Sequence, residues 1–406
     1  MEDVTAKVAR QYTDYAYPKP VDDLAASAAS GGGDYSDPSL FGPMLWPEGQ
    51  PRPDLDILVA GCGTQQAAMI AFGNPSARVV GVDLSDASLG HQRYLRDKHA
   101  LTNLELHQGD LREVGSLNRK FDLVVSTGVL HHMANPGEGL AALRDVLKPD
   151  GAMALMVYGS AGRRGVYPLQ DAFRRMGLDQ SPASVAVVRD YLDALPRDHS
   201  ARVYVARTSE LKHDTAIVDT FLHPQDQAYS VPELLDWIET AGLQFQTWLQ
   251  NHLYYPEALV PDPVLSRIQM LPERDQWAVV EAWGELLGVH LFVARHAGHA
   301  ALIDFEGNDW LSYKPRLLVG TRIEAVQPDG SATLRLHDIH FAVSPAEHGV
   351  LLAADGARTI SEILSGGAFS AFPRADLEAF ARLSFSRFWR IGVVMFEGVP
   401  APAKGE

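Results

Sequence analysis

The chain has 406 residues, 46% of them hydrophobic and 21% charged, with a formal net charge of −16. That length buries more core than one small domain needs, and the acidity argues against a nucleic acid partner, because phosphate affinity requires local positive charge. No run approaches the roughly 18 apolar residues of a membrane span, Met1-Glu2-Asp3 lacks the basic and apolar regions of a signal peptide, and the single cysteine, Cys62, leaves no partner for an internal disulfide or a cysteine-based zinc site. No membrane association and a cytoplasmic location are expected.

In chain order, Val8 to Pro20 reads as an aromatic helix ending at proline. Ala25 to Gly33 is small and glycine-rich, and Pro38, Pro43, Pro47, Pro51 and Pro53 exclude regular structure over much of residues 34–53. Apolar runs at 55–60, 78–83, 104–107, 121–126 and 152–158 read as strands, with a turn at Leu147-Lys148-Pro149-Asp150-Gly151 before the last. Their alternation with helices predicts a parallel, doubly wound α/β sheet. Ligands in such sheets sit beyond the carboxyl ends of the strands, where Gly61, Asp83, Asp110, Thr127 and Tyr158 fall. Residues 160–240 read as an insertion with helices near 167–177 and 183–195, placed to meet a substrate. Arg163-Arg164 and Arg174-Arg175 in it read as solvated helix faces. Ser230-Val231-Pro232-Glu233 starts a helix that ends at Gly242, followed by strands at Leu243–Trp248 and Val289–Arg295. From residue 298 onward, strand character at 316–326 and 332–337 flanks Pro328-Asp329-Gly330. Helix starts at Ser344 and Thr359, a helix over 375–388 and an apolar Ile391 to Phe396 follow. This order predicts a C-terminal α+β, winged-helix-like module for recognition or dimerisation, so a homodimer is an expectation.

Asp56-Ile57-Leu58-Val59-Ala60-Gly61-Cys62-Gly63-Thr64 delivers a β-branched strand into a glycine turn, and Val79 to Asp83 ends in a carboxylate suited to a ribose diol. The third glycine of a dinucleotide fingerprint is missing, since Gln65, Gln66, Ala67 and Ala68 follow. A nucleoside cofactor without a pyrophosphate fits this pattern.

These residues, with Gly109-Asp110-Leu111, Phe121 to His132 and Leu147 to Tyr158, resemble in order the five motifs of the class I S-adenosylmethionine-dependent methyltransferases over about residues 54–297. The resemblance implies a Rossmann-like seven-stranded sheet with an antiparallel last strand. It implies that the backbone of Ala60, Gly61, Cys62 and Gly63 lies along the methionine part of S-adenosyl-L-methionine, that Asp83 binds the ribose with Leu84 by the adenine, and that Gly109, Asp110 and Leu111 meet the adenine, with Gln65, Thr127 and Gly128 also among the cofactor-binding residues. Segments before the first strand often cover the cofactor in this family, and Tyr12, Tyr15 and Tyr17 are candidates to do so, Tyr12 and Tyr17 also for substrate contact.

Methyl transfer from a sulfonium is an in-line displacement that needs alignment and, for a hydroxyl or protonated amine, a base. His131, His132 and Tyr158 are the catalytic candidates by position, and His223, Asp226 and Tyr229 are candidates to meet the substrate or act as base. His213, Asp214, His223 and Asp226 have no spacing of a helical ligand pair, and no metal is expected. The expected acceptor is an N or O nucleophile on a protein or peptide side chain. A small-molecule acceptor and a non-catalytic cofactor-binding scaffold acting through the C-terminal module are the alternatives.

Overall fold

A computed structural model describes residues 11, 15, 18–29, 34–284, 287–307, 309–337, 339–367, 369 and 372–401. Tyr12 and Tyr17 lie outside the described residues. The central strands are β1 (Asp56–Ala60), β2 (Arg78–Asp83), β3 (Leu104–Gln108), β4 (Phe121–Thr127), β5 (Leu147–Gly159), a short β6 (Ala228–Tyr229), β7 (Leu243–Trp248) and β8 (Val289–His296). They form one sheet in the order β3-β2-β1-β4-β5-β8-β7, with β6 pairing beside β5. The strands from β1 to β5 pair in parallel, and β8 runs antiparallel between β5 and β7.

Both faces of this sheet are covered, which is why β1 and β4 are buried at nearly every position rather than at alternate ones. Ile57, Val59, Leu123 and Val125 point into one core and Leu58, Ala60 and Val124 into the other. Strand β5 departs from expectation at its start. The Leu147 to Gly151 turn is drawn into the strand, and the pairing with β4 slips between Phe121 and Leu123 to absorb it.

The proline-rich segment also holds more structure than its composition predicts. Pro38–Leu45 is a helix, capped by the Asp37 side chain on the Ser39 N–H and with proline in its first turn, where a missing N–H costs nothing. The insertion is helical at Val166–Arg175, Pro182–Asp193, Ala201–Arg207 and Asp214–Phe221, around a small core of its own that includes Phe173, Val188 and Phe221.

The C-terminal part contains β9 (Lys314–Leu317), β10 (Arg322–Val326), β11 (Ala332–Leu336), β12 (Ile339–Val343) and β13 (Val394–Glu397). β10, β11 and β12 form an antiparallel sheet, and β13 pairs antiparallel with β9. Helices Pro345–Leu352 and Ile360–Leu364 start with reciprocal Ser344–Glu347 and Thr359–Glu362 capping boxes, and Arg374–Arg390 is the longest helix. The expected strand over 316–326 is broken between Leu317 and Arg322. This part shares its core with one face of the central sheet: Val293, Leu249 and Trp46 belong to the same apolar cluster as Phe385, Phe388 and Phe396. Asn251 Nδ2 donates to the Trp389 carbonyl at 3.0 Å, and Arg390 pairs with Glu257 at 2.5 Å.

Candidate functional site

A cavity of about 1050 Å³ opens at the carboxyl ends of β1, β2, β4 and β5. One end is built by the glycine turn after β1. Gly61 and Gly63 have φ of +75° and +55°, and a Cβ on Gly61 would sit 2.2 Å from Val129 Cγ2, so only glycine permits this approach. Behind the turn, Gln92 is fully buried and its Nε2 donates to the carbonyls of Cys62 (2.9 Å) and Gly63 (3.1 Å), while its Oε1 accepts from the Ala68 N–H at 3.0 Å. Cys62 itself is buried, and burial followed by the Asp83 charge pushes its thiol well above the ordinary value, which makes it inert packing.

The Asp83 carboxylate is aimed by two backbone donors, Gly63 N–H on Oδ2 and Ser85 N–H on Oδ1, each at 2.8 Å. Burial raises its pKa, and these backbone bonds oppose the rise. A carboxylate offers about four lone-pair directions, so accepting capacity remains on Asp83 beside its backbone donors. Asp110 caps the turn that follows it, accepting from the Arg112 N–H at 2.9 Å. Against the burial that would raise it, the Arg112 guanidinium holds its carboxyl below the usual range. Leu84 and Leu111, both on the cavity wall, are the apolar side chains that a nucleoside between Asp83 and Asp110 would meet. The N-terminal segment closes over this end: Thr64 Oγ1 donates to the Pro18 carbonyl at 2.9 Å, and the Val21 N–H donates to Gln65 Oε1 at 3.1 Å. Gln66 Nε2 spans from Asp34 to Thr127 Oγ1, at 2.8 and 2.9 Å. The turn that a Cβ would block, a preoriented diol acceptor and no phosphate cradle together fit S-adenosylmethionine.

The other end of the cavity is lined by His132, Tyr158, Asp219, Thr220, Tyr204, Thr208 and Glu210. The Tyr158 hydroxyl donates to Asp219 Oδ2 at 2.9 Å, and His132 Nε2 stands 3.9 Å from Asp219 Oδ1. His132 Nδ1 faces the Gln225 carbonyl at 2.9 Å, so that nitrogen carries the hydrogen of the neutral ring and Nε2 carries the lone pair.

Of the residues the sequence singled out, the cavity wall contains Gly61, Cys62, Gly63, Gln65, Asp83, Leu84, Gly109, Asp110, Leu111, Thr127, Gly128, His132 and Tyr158. Ala60 lies behind it in the strand core. His131 is also off the wall. It is fully buried, and desolvation, then His132, Arg163 and His223, push its pKa well below the ordinary imidazole value, so it stays neutral against the Tyr158 ring. The three insertion candidates are likewise displaced from the cavity. His223 is stacked on the His132 ring with centroids 3.7 Å apart, Asp226 is buried in an ion pair with Arg163, and Tyr229 is stacked on Trp237. The insertion residues that reach the wall include Asp219, Tyr204, Thr208, Glu210 and Thr220, and nothing in the spacing of the sequence marks them.

His132, Asp219 and His223 each place a donor atom within 4.8 Å of the others. His223 Nδ1 accepts the Gln225 N–H at 3.1 Å, so its Nε2 carries the ring hydrogen, and burial followed by His132 keeps this imidazole neutral.

A sheet of this order with one antiparallel strand, a glycine turn after β1 and an acid at the end of β2 define a class I methyltransferase domain. Residues 52–163 match a family model described as a methyltransferase domain, and this part of the chain is such a domain. An uncharacterised protein of Synechococcus sp. is 30% identical over 242 residues, which cover 57% of this chain and 57% of that one. Trans-aconitate 2-methyltransferase of Deinococcus radiodurans is 36% identical over 107 residues, 26% of this chain and 39% of the relative. The chain thus spans little more than half the length of the first relative and under half of the second. Among solved structures, PKMT2 from Rickettsia typhi in complex with AdoHcy superimposes with a TM-score of 0.65 at 14% identity, over 90% of this chain and 76% of that one. This likeness covers the insertion and the C-terminal part as well as the sheet, and concerns the fold.

Proposed function

We propose that the chain transfers a methyl group from S-adenosylmethionine to a side-chain nitrogen or oxygen of a protein or peptide, with an amine as the favoured nucleophile. The observation that carries this reading is the continuity of one cavity from the Asp83 cradle to the Tyr158–Asp219–His132 group. The bound cofactor supplies an activated methyl carbon. The protein aligns the nucleophile and takes its proton: a protonated amine entering between Tyr158 and Tyr204 meets the carboxylates of Asp219 and Glu210, both attractive to a cation. Asp219 and His132 Nε2 then stand where the amine must lose its proton before attack. The C-terminal part, packed on one face of the same sheet, adds surface for recognising the chain that bears the acceptor.

The test is transfer of labelled methyl from S-adenosylmethionine by the full-length protein into a cell extract separated into protein and small-molecule fractions. Label in protein, lost by roughly 100-fold or more in Asp219→Asn as expected on removing a general base, supports the reading. Label confined to small molecules overturns the protein acceptor, and no label with intact cofactor binding favours a scaffold.

A further inference from the structure

Arg163 does not sit on a solvated helix face as its sequence context predicts; it is 1% exposed. The reason is the turn after β5. At Gly162 a Cβ would fall 2.4 Å from the Gly288 N and 2.6 Å from the Leu287 carbonyl carbon, so the chain presses against that backbone and Arg163 turns inward beneath the insertion. Its guanidinium lies 3.7 Å from the Tyr158 ring centroid. The His131 ring stacks on Tyr158 with centroids also 3.7 Å apart and planes at 28°. Two flat groups at that distance occupy opposite faces, so the Tyr158 ring is clamped between a cation and a neutral imidazole.

The guanidinium fork reaches further. Nη1 donates to the Tyr204 hydroxyl at 3.1 Å, Nε to the Tyr167 hydroxyl at 3.3 Å, and Nη2 pairs with Asp226 Oδ2 at 2.6 Å, an oxygen that also accepts from Gln170 Nε2 at 2.9 Å. Burial works against this charge, but the surrounding tyrosines and Asp226 outweigh it and hold the pKa above the ordinary value. Tyr158 and Tyr204 come from different elements, β5 and the helix Ala201–Arg207, and both line the acceptor end of the cavity. Arg163 and Asp226 line none of it. A buried pair that touches two walls of a site and no part of its interior acts through those walls.

We propose that Arg163, fixed by Asp226, is a positioning residue for acceptor chemistry: it locks the Tyr158 hydroxyl onto Asp219 and sets the gap between Tyr158 and Tyr204 into which the nucleophile enters. This rests on the methyl-transfer reading above. Lysine cannot replace it, because an ammonium lacks the planar fork that spans two hydroxyls, one carboxylate and one ring face.

The test uses the full-length protein and the variants Arg163→Lys, Asp226→Asn, Tyr158→Phe and the Arg163→Lys/Tyr158→Phe pair. Arg163→Lys is expected to keep S-adenosylhomocysteine affinity within about twofold and to lower kcat by roughly 10- to 100-fold, the scale of a misplaced reacting geometry. In the Tyr158→Phe background the same substitution should cost less, because the hydroxyl that Arg163 locks is already gone and only its hold on the Tyr204 side remains. Equal losses in both backgrounds, or a parallel loss of cofactor affinity, overturn the proposal. NMR of ring-labelled tyrosine supplies a readout that needs no turnover: the Tyr158 ring, assigned by Tyr158→Phe, should show separate signals for its two edges in the parent protein and merged signals in Arg163→Lys and in Asp226→Asn. Unchanged edges in both variants overturn the clamp. A parent protein without transferase activity but with a clamped ring would place the failure in the functional reading instead.

Discussion

Asp83→Asn is the most informative single change, because it alters one atom and the structure says what each oxygen does. In the parent protein Oδ2 accepts from the Gly63 N–H and Oδ1 from the Ser85 N–H. An amide in the same place must turn its NH2 toward one of those donors. That end then loses both its backbone bond and its capacity to accept from a ribose hydroxyl, and the other end keeps a neutral acceptor. Hydrogen bonds to charged groups contribute about 1.5–3 kcal/mol each; the loss of one, with weakening of the other, sets the expected cost in cofactor binding at about 2–3 kcal/mol, or roughly 30- to 150-fold in Kd. Calorimetric titration with S-adenosylhomocysteine measures it, with circular dichroism to show that the fold is retained. A ligand analogue without one ribose hydroxyl should lose affinity for the parent protein and little more for Asp83→Asn. Equal affinity of parent and variant for the complete ligand refutes the ribose assignment.

Two further outcomes follow from buried polar groups. Gln92→Leu leaves the Cys62 and Gly63 carbonyls and the Ala68 N–H without their buried partner; it is expected to lower stability by about 2–4 kcal/mol in denaturant titrations and to weaken S-adenosylhomocysteine binding in step, because the glycine turn loses its support. His290 is held neutral, its Nε2–H donating to the Tyr229 carbonyl at 2.8 Å and its Nδ1 accepting from the Tyr254 hydroxyl at 2.9 Å, with Glu281 3.6 Å from Nε2. Burial takes its pKa down to about 4. A depressed histidine contributes stability that is complete above its unfolded pKa near 6.5 and is lost as pH falls toward 4, on the order of 3 kcal/mol. The melting temperature should therefore fall across that window, and less steeply in His290→Gln; parallel pH profiles for the two proteins contradict the assignment.

The central sheet and the glycine-turn end of the cavity were legible because local patterns specify them. Apolar runs of strand length bounded by turns fall within a residue or two of β1 to β4, β7 and β8, and Gly61, Gly63 and Asp83 are marked by their positions at strand ends. The acceptor end was not legible. Arg163 looks like any surface arginine until the close approach at Gly162 turns it inward, and Asp219 is one carboxylate among many until the helix Asp214–Phe221 brings it to Tyr158. His131 and His132 are neighbours in sequence, yet a single residue step separates a buried ring packed on Tyr158 from one on the cavity wall. The core shared by the C-terminal part and the sheet joins residues hundreds of positions apart, and no local period encodes it.

The most direct test of the account is a crystal structure of the full-length protein with S-adenosylhomocysteine. The account predicts the ribose hydroxyls within hydrogen-bond distance of Asp83 and the sulfur turned toward the Tyr158–Asp219–His132 end of the cavity. A ligand bound elsewhere, or one whose sulfur points away from that group, would contradict it.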